Sequence, residues 1–213
     1  MRRNKTVSMS TLGFCTMAAL LAGRAAATTP LLEVLDTHEI GDCGGVEVRV
    51  VQDEHDGVQR FDILTPGLDA EANTDTPRIR RFCNIRAQVA VPPGYRVRPL
   101  YLNCQGAADI AGQASSANMS GRFYFTGLQG IDGFRHLSEA DTGNFEVELT
   151  NGFNQYSSCG GAAEMNFLAD ITVRSPGHDT AAYSEVKLQR LYGEAEEIGR
   201  PIYHCGYQIV ACH

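Results

Sequence analysis

The chain has 213 residues, a formal net charge of −7 at pH 7 and no tryptophan. This length fits one ordinary domain, or one large all-β domain. An acidic surface repels phosphate backbones, so the charge argues against a protein that binds nucleic acids or anionic membranes.

Residues 1–27 are typical of a secretory signal peptide. A basic start at residues 2–5 is followed by a mostly apolar run over residues 7–22, and small residues at 25–27 offer a cleavage site before Thr28. A transmembrane helix is the alternative, but the apolar run is short and four serine and threonine side chains interrupt it. The sequence therefore predicts a secreted protein with no membrane span once the leader is removed.

The chain without its leader has a more negative charge than the full-length chain. It also keeps six of the seven cysteines. Four of the 18 basic residues and none of the 25 acidic ones lie in the leader, which leaves a formal charge of −11. Six cysteines after a signal peptide predict three disulfides in an oxidising, extracellular compartment, each stabilising the fold by roughly 2–4 kcal/mol. They are Cys43, Cys83, Cys104, Cys159, Cys205 and Cys212, and the sequence does not determine their pairing.

The first part of the mature chain contains two predicted strands. Residues 28–42 show no clear period. Val46–Val50 alternates apolar with charged residues, as a half-buried strand does, and Val58–Leu64 is a second strand candidate. Thr65–Pro77 follows as a polar loop that Pro66 and Gly67 open.

Arg80–Gly106 is the most regular stretch and predicts two long strands. Pro93 and Gly94 suit the centre of a type II turn, because proline fixes φ and glycine accepts a positive φ. If this turn closes a two-residue hairpin, Cys83 faces Cys104. Two features argue otherwise: type II turns splay hairpin strands, and Pro99 has no N–H to donate, which suggests a bulge or an edge. A crossover between two sheets is the alternative.

The remaining chain predicts a loop and several shorter strands. Ala107–Gly121 is rich in Ala, Ser and Gly and is predicted as a loop. Strands are predicted at Arg122–Thr126, Phe145–Leu149, Met165–Val173, Ser184–Leu191 and Ile202–Ala211. Roughly nine or ten strands without an amphipathic helix predict an all-β fold, a single-domain antiparallel β-sandwich over residues 28–213 that is jelly-roll-like and stapled by disulfides.

One loop is a candidate metal site. Asp69, Glu71, Asn73 and Asp75 fall at alternate positions, and oxygen ligands at such spacing suit calcium. The loop lacks the glycine and the final glutamate of an EF-hand, so a solvated acidic loop is the simpler interpretation.

Other chemistry is less well supported by the sequence. His204, Cys205, Cys212 and His213 are possible zinc ligands, although thiols in a secreted chain favour disulfides. No G-x-S-x-G motif marks a nucleophile, and no pair of acidic residues stands out as a glycosidase pair. The sequence therefore predicts no cofactor and favours a protein that is not an enzyme. It points to the loops at 65–77 and 107–121 as the places for function.

Several short motifs between residues 41 and 212 fit a common pattern. They are a basic residue before a cysteine at the start of a strand, a Pro-Gly-aromatic turn, an aromatic strand and a Cys-Gly pair ahead of another strand. Here they are Gly41–Cys43, Arg81–Ile85, Val91–Tyr95, Gly106 with Ile110, Phe123–Phe125, Cys159–Gly161 and Met165–Phe167. In these motifs the chain resembles the secreted family known as domain of unknown function 4360.

The resemblance implies a secreted β-sandwich and carries over no catalytic residue. The family tends to have four cysteines, whereas the mature chain has six. If family members bond the equivalent of Cys83 elsewhere, the Cys83–Cys104 pairing is wrong, and Cys104 needs a partner such as Cys205 or Cys212.

Three functions are compatible with these observations. The preferred hypothesis is a binding protein or a surface or matrix component, whose partner could be a cell-surface polymer. The second is a secreted hydrolase that acts on polysaccharide through an acid pair. The third is a self-assembling homo-oligomer in which the segment Thr28–Ile40 adds a strand to a neighbour.

Overall fold

The computed structural model of the protein describes residues 30–52, 58–112, 114–150, 154–175, 183–187 and 202–212. Twelve β-strands and one 3-10 turn, Glu139–Asp141, form the regular structure of these residues. No helix among them is long and apolar enough to cross a membrane. The predicted leader, residues 1–27, and His213 lie outside the described ranges.

The strands are numbered in chain order. They are β1 Glu33–Gly41, β2 Glu47–Gln52, β3 Gln59–Leu64, β4 Ala70–Ala72, β5 Arg78–Val91, β6 Tyr95–Ala111, β7 Ser116–Phe125, β8 Ile131–Leu137, β9 Gly143–Thr150, β10 Gly161–Arg174, β11 Tyr183–Lys187 and β12 Ile202–Ala211.

These strands form two antiparallel sheets. Sheet A has the order β1-β5-β10-β7-β8, and sheet B has the order β2-β3-β12-β6-β11-β4. β9 pairs with β6 over a stretch that also pairs with β12, so β9 and β12 lie on opposite edges of β6. The predicted all-β sandwich is confirmed.

Both sheets contribute alternate apolar residues to a shared core. Phe61 of sheet B lies 6.3 Å from Phe123 of sheet A between ring centroids, in an edge-to-face arrangement. Tyr203 of sheet B lies 4.6 Å from Phe167 of sheet A. On β5 the predicted inward face is confirmed: Cys83, Ile85, Ala87, Val89 and Val91 are all buried.

The turn after β5 has the predicted local geometry. The Tyr95 N–H donates to the Pro92 carbonyl at 3.1 Å, and Gly94 has a φ of 81°, as the third position of a type II turn requires. β5 and β6 nevertheless belong to different sheets. The alternative of a crossover is confirmed and the facing of Cys83 and Cys104 is wrong, because a type II turn does not match the twist of a two-residue hairpin.

The predicted irregularity at Pro99 is also present. Tyr207 of β12 lies opposite Pro99, and the preceding Gly206 lies opposite Tyr101, so Leu100 is an extra residue on β6. Such a bulge suits a position where the strand carries a proline.

The described residues form two disulfides where the sequence predicts three. Cys43 is bonded to Cys83, and Cys159 is bonded to Cys212. Cys104 and Cys205 are buried thiols on the inner side of sheet B. Cys104 lies opposite Tyr203 and Cys205 lies opposite Leu102, so the two thiols are diagonal neighbours rather than a facing pair.

Four segments that the sequence does not predict as strands are strands. Residues 33–41 form β1, residues 131–137 form β8, and residues 70–72 of the predicted loop at 65–77 form β4, while the predicted loop at 107–121 holds the end of β6 and the start of β7. Alanine, serine and glycine favour strands only weakly. Burial against the opposite sheet outweighs that preference, since Ala108, Ile110, Ala117 and Met119 all lie in the core.

The segment proposed for strand addition has a partner within its own chain. β1 pairs with β5 from Glu33 opposite Ala90 to Gly41 opposite Cys83. One edge of β1 therefore forms its backbone hydrogen bonds with β5 of the same chain. This corrects the hypothesis that the segment is an unpaired arm that extends toward a neighbouring molecule.

Candidate functional site

The outer surface of sheet A carries mostly polar side chains. On β5, β7 and β10 alternate residues are buried in the core, so the residues between them point away from sheet B. We call this surface the polar face. It consists of the even-numbered residues in the ranges 36–40, 78–88, 116–124, 132–136 and 164–174.

One row of side chains runs across four strands of the polar face. His38 lies opposite Arg86, Arg86 lies opposite Asn166, and Asn166 lies opposite Tyr124. Neighbouring strands are about 4.8 Å apart, so the row spans roughly 14 Å. It combines an imidazole, a guanidinium, an amide and a phenol, and each of these groups can hydrogen-bond to a ligand.

Hydrogen bonds fix the side chains next to this row. Asn166 donates through Nδ2 to Thr126 Oγ1 at 2.9 Å, and the Thr126 hydroxyl donates to Glu164 Oε1 at 2.8 Å. Gln88 Nε2 lies 3.5 Å from the other oxygen of Glu164. Because Asn166 is buried to 4% exposure, this network holds it in one orientation.

Three open depressions adjoin one another on this part of the polar face and at its edge. The first has a volume of about 440 Å³ and is lined by His38, Arg86 and Glu164 among others. The second, about 480 Å³, shares Gln88 and Glu164 with the first, and the third, about 410 Å³, contains Tyr124. Leu128 borders the second and the third depression. Together they form a broad, shallow relief.

Aromatic and apolar side chains are scattered among these polar groups. Phe134 is 65% exposed, Ile40 is 52% exposed and Phe82 is 40% exposed. Phe82 and Phe134 belong to the same cross-strand row, with Asp170 and Ser120 between them. The polar face therefore offers apolar contact area beside hydrogen-bonding groups.

Some charges of the polar face are neutralised and others are not. Arg80 donates to Asp170 at 2.7 Å, and Arg122 lies 3.7 Å from Asp132. Arg86 is exposed and makes no hydrogen bond or ion pair with another described residue. Its guanidinium is available to a ligand.

A different polar cluster lies on the outer side of sheet B. Asp62 Oδ1 accepts hydrogen bonds from His204 Nδ1 at 2.7 Å and from Arg60 Nε at 2.8 Å. Burial acts to raise the pKa of Asp62, but the hydrogen bonds and charges of His204 and then Arg60 outweigh it and lower that pKa. No described Ser, Thr or Cys hydrogen-bonds to His204, so the pair lacks the third member of a hydrolytic triad.

The calcium candidate is not assembled as a ligand set. Asn73 Oδ1 accepts the backbone N–H groups of Asp75 and Thr76 at 3.0 and 2.9 Å, which closes the loop on itself. Asp69 and Glu71 flank Ala70 on β4, where Ala70 and Ala72 are buried. Among the described residues no group of three His, Cys, Asp or Glu side chains could hold a metal ion.

The zinc candidate is separated by the strand geometry. Cys205 points into the core and His204 points outward on the same strand, because successive side chains alternate. Cys212 is bonded to Cys159. Cys205 and Cys212 therefore do not form a zinc site with the imidazole of His204.

The polar face was only partly visible in the sequence. Alternation on β5 separates Asn84, Arg86 and Gln88 from the buried residues, which identifies an outward face. The sequence carries no signal that Asn166 and Tyr124 come to lie beside Arg86, because these contacts join residues far apart in the chain. The candidate site thus lies on strands: Ser116, Asn118 and Ser120 of the polar face fall within the range 107–121 that the sequence predicts as a loop, and no residue of the polar face falls within 65–77.

Comparisons with known proteins give a family and several weak structural likenesses. Residues 44–199 match the sequence model of a family described as "Domain of unknown function (DUF4360)". None of the curated proteins matches the sequence.

Two carbohydrate-binding modules are similar in structure. One is TmCBM61 in complex with β-1,4-galactotriose, with 9% identity, coverage of 84% of this chain and 91% of that chain, and a TM-score of 0.30. The other is the family 11 module from Clostridium thermocellum in complex with a β-1,3-1,4-mixed-linked tetrasaccharide, with 8% identity, coverage of 74% and 96%, and a TM-score of 0.18. Likenesses with TM-scores this low say nothing about the ligand of this chain.

Proposed function

The chain belongs to the DUF4360 family, and we propose that it is a secreted binding protein whose polar face takes a polysaccharide. The observation that carries this proposal is the row His38, Arg86, Asn166 and Tyr124 with its three adjoining depressions. A broad, shallow surface suits a long ligand that lies across several strands better than it suits a small molecule, which binds in enclosed clefts.

The chemistry of the polar face fits sugar rings. A sugar presents many hydroxyl groups, each of which both donates and accepts hydrogen bonds, together with apolar C–H faces. The amides of Asn166 and Gln88 and the guanidinium of Arg86 supply planar polar groups. Tyr124 offers a ring that is apolar on its face and polar at its tip. Because the network through Glu164 already fixes Asn166, less side-chain entropy is lost on binding.

Secretion is part of the proposal and is supported by the cysteines. Disulfides persist in oxidising compartments, and the structure contains the bonds Cys43–Cys83 and Cys159–Cys212. The amino-terminal sequence predicts a signal peptide ahead of Thr28. The chain would therefore meet its ligand outside the cell.

A binding role accounts for the surface better than hydrolysis does. Glycoside hydrolysis needs one carboxyl group that can give a proton and a second that attacks or activates water. Glu164 lines two depressions, but its oxygens accept hydrogen bonds from Thr126 and Asn166 and lie near Gln88. This arrangement suits a group that positions its neighbours.

Binding to a panel of soluble polysaccharides, measured by affinity electrophoresis and calorimetry, tests the proposal. We expect Arg86→Ala and Tyr124→Ala each to weaken binding at least fivefold, because both side chains lie on the polar face and neither is needed for the core. Arg49→Ala and Gln105→Ala, on the outer side of sheet B, are the matched controls and should bind like the parent chain. Retained binding in both polar-face variants, or no binding to any polymer, would refute the proposal.

A further inference from the structure

The polar face has an uneven charge distribution that bears on the kind of polymer it takes. Arg78 of β5 and Arg174 of β10 lie directly opposite each other on neighbouring antiparallel strands. The Cβ atoms of such a pair are about 4.5–5.5 Å apart, and like charges in this position repel each other. Both residues are exposed.

No described residue neutralises this pair. Neither Arg78 nor Arg174 forms an ion pair or a side-chain hydrogen bond with another described residue. Arg80, two residues from Arg78 on the same face, is already held by Asp170. Among the described residues nothing offsets the repulsion between Arg78 and Arg174, which an anionic ligand would relieve.

A third unpaired arginine lies further along the same strand. Arg86 is eight residues from Arg78 on β5, a separation of roughly 27 Å at about 3.3–3.4 Å per residue. A small anion cannot contact both ends of such a line. An extended chain that carries several negative groups can.

We propose that the ligand of the polar face is an anionic polysaccharide, whose carboxylate or sulfate groups bind Arg78, Arg174 and Arg86. The proposal rests on the proposed function and adds the charge of the polymer. The guanidinium group presents paired N–H donors that match the two oxygens of a carboxylate or sulfate. Carboxylated and sulfated polysaccharides share this chemistry, since both carry oxyanions along a long polar chain.

The net negative charge of the chain opposes the binding of any polyanion and so affects the selectivity of the polar face. With a formal net charge of −11 once the predicted leader is removed, the protein repels polyanions at long range, whereas the three arginines attract them at contact. DNA has no free sugar hydroxyls along its strands for the amides of Asn166 and Gln88 and the phenol of Tyr124 to bind. Its phosphate charges alone would therefore give it only weak affinity for the polar face. We therefore expect selectivity for acidic polysaccharide over DNA.

The experiment compares polymers that differ only in charge. Polygalacturonate is compared with its fully methyl-esterified form, and dextran sulfate with dextran, so that carboxylate and sulfate are tested separately on matched backbones. We expect the charged member of at least one pair to bind at least tenfold more tightly. Arg78→Gln and Arg174→Gln should each weaken that binding at least threefold and reduce its dependence on salt.

The control variant and the contrary outcomes separate the two proposals. Arg49→Gln removes one positive charge from the other sheet and should bind like the parent chain. Equal affinity for charged and uncharged polymers, with loss in Arg86→Ala, overturns the anionic ligand and leaves the binding function standing. No binding to any polymer overturns both. Equal affinity for DNA and acidic polysaccharide, or no effect of Arg78→Gln and Arg174→Gln, also overturns the anionic ligand.

Discussion

At the residue scale, Asp62 shows how a buried carboxylate is kept ionised on the outer side of a sheet. A single carboxylate would be costly to bury. Here one oxygen accepts two hydrogen bonds from cationic or ionisable neighbours, His204 and Arg60. The same arrangement fixes the hydrogen on Nδ1 of His204, because an ionised carboxylate can only accept. The cluster joins β3 and β12, and we assign it to stability rather than to ligand binding.

Replacing Asp62 with Asn tests this assignment. The pKa of Asp62 in the folded state lies below the unfolded value of about 3.9. The ionised group therefore stabilises the fold fully above that unfolded value, and this stability is lost as pH falls through the folded-state pKa. We expect Asp62→Asn to lower the free energy of unfolding at pH 7 by roughly 1.5–3 kcal/mol, and by less near pH 2.

Urea denaturation at both pH values measures the effect. Glu47→Gln is the matched control, because Glu47 pairs with Arg49 at 2.6 Å on an exposed surface. An exposed pair contributes about 0–1 kcal/mol. An Asp62→Asn loss that is no larger than the control, or that does not depend on pH, would contradict the assignment.

At the element scale, the crossover at Pro92–Gly94 decides which strands become neighbours. Local signals correctly give two strands and a type II turn between them. The same turn sends β6 into the opposite sheet, where β12, β9 and β11 are its partners, while β1 and β10 flank β5. The polar face depends on this outcome, because it places β10 beside β5 and β7 beyond β10, which aligns Asn166 and Tyr124 with Arg86.

Replacing Gly94 tests the contribution of the turn. Gly94 has a φ of 81° and no atom within 4 Å of the position where a Cβ would stand, so strain in the backbone is the main cost of a side chain. We expect Gly94→Ala to lower the free energy of unfolding by about 1 kcal/mol. Gly94→Asn should cost less, since asparagine tolerates positive φ. Equal stability of Gly94→Ala and the parent chain in thermal denaturation would contradict this expectation.

At the scale of the whole molecule, the two disulfides hold different parts of the sandwich together. The Cys43–Cys83 bond is buried beside sheet A, and the Cys159–Cys212 bond joins the start of β10 in sheet A to the end of β12 in sheet B. The remaining thiols lie in the core. Burial raises the pKa of Cys104 to about 12 and raises the pKa of Cys205 well above its usual value, so both stay protonated near neutral pH.

Thiol counting on a purified chain of residues 28–213 tests this arrangement. We expect no thiol to react with a maleimide in the native state, because the two thiols are buried and protonated. Two should react after denaturation without a reductant, and mass spectrometry should place them at Cys104 and Cys205. A count of zero after denaturation would mean a third disulfide, and reaction in the native state would mean that the core is accessible.

Much of this fold was determined by the sequence alone. The alternation on β5 and β10 depends on a residue and its second neighbour, and the type II turn depends on the adjacent residues Pro93 and Gly94. These local signals suffice for an all-β chain and for an outward face on β5. Likewise, the family motifs are short and contiguous, and the match over residues 44–199 confirms the resemblance.

Only the tertiary structure decided which strands lie side by side and which cysteines meet. Cys83 bonds to Cys43 rather than facing Cys104, because β5 and β6 separate into two sheets. Arg78 comes to oppose Arg174 although they are 96 residues apart in the sequence. Such pairings depend on the register of non-local strands, which is set by burial of a shared core rather than by the residues of either strand. The proposed binding surface follows from that register.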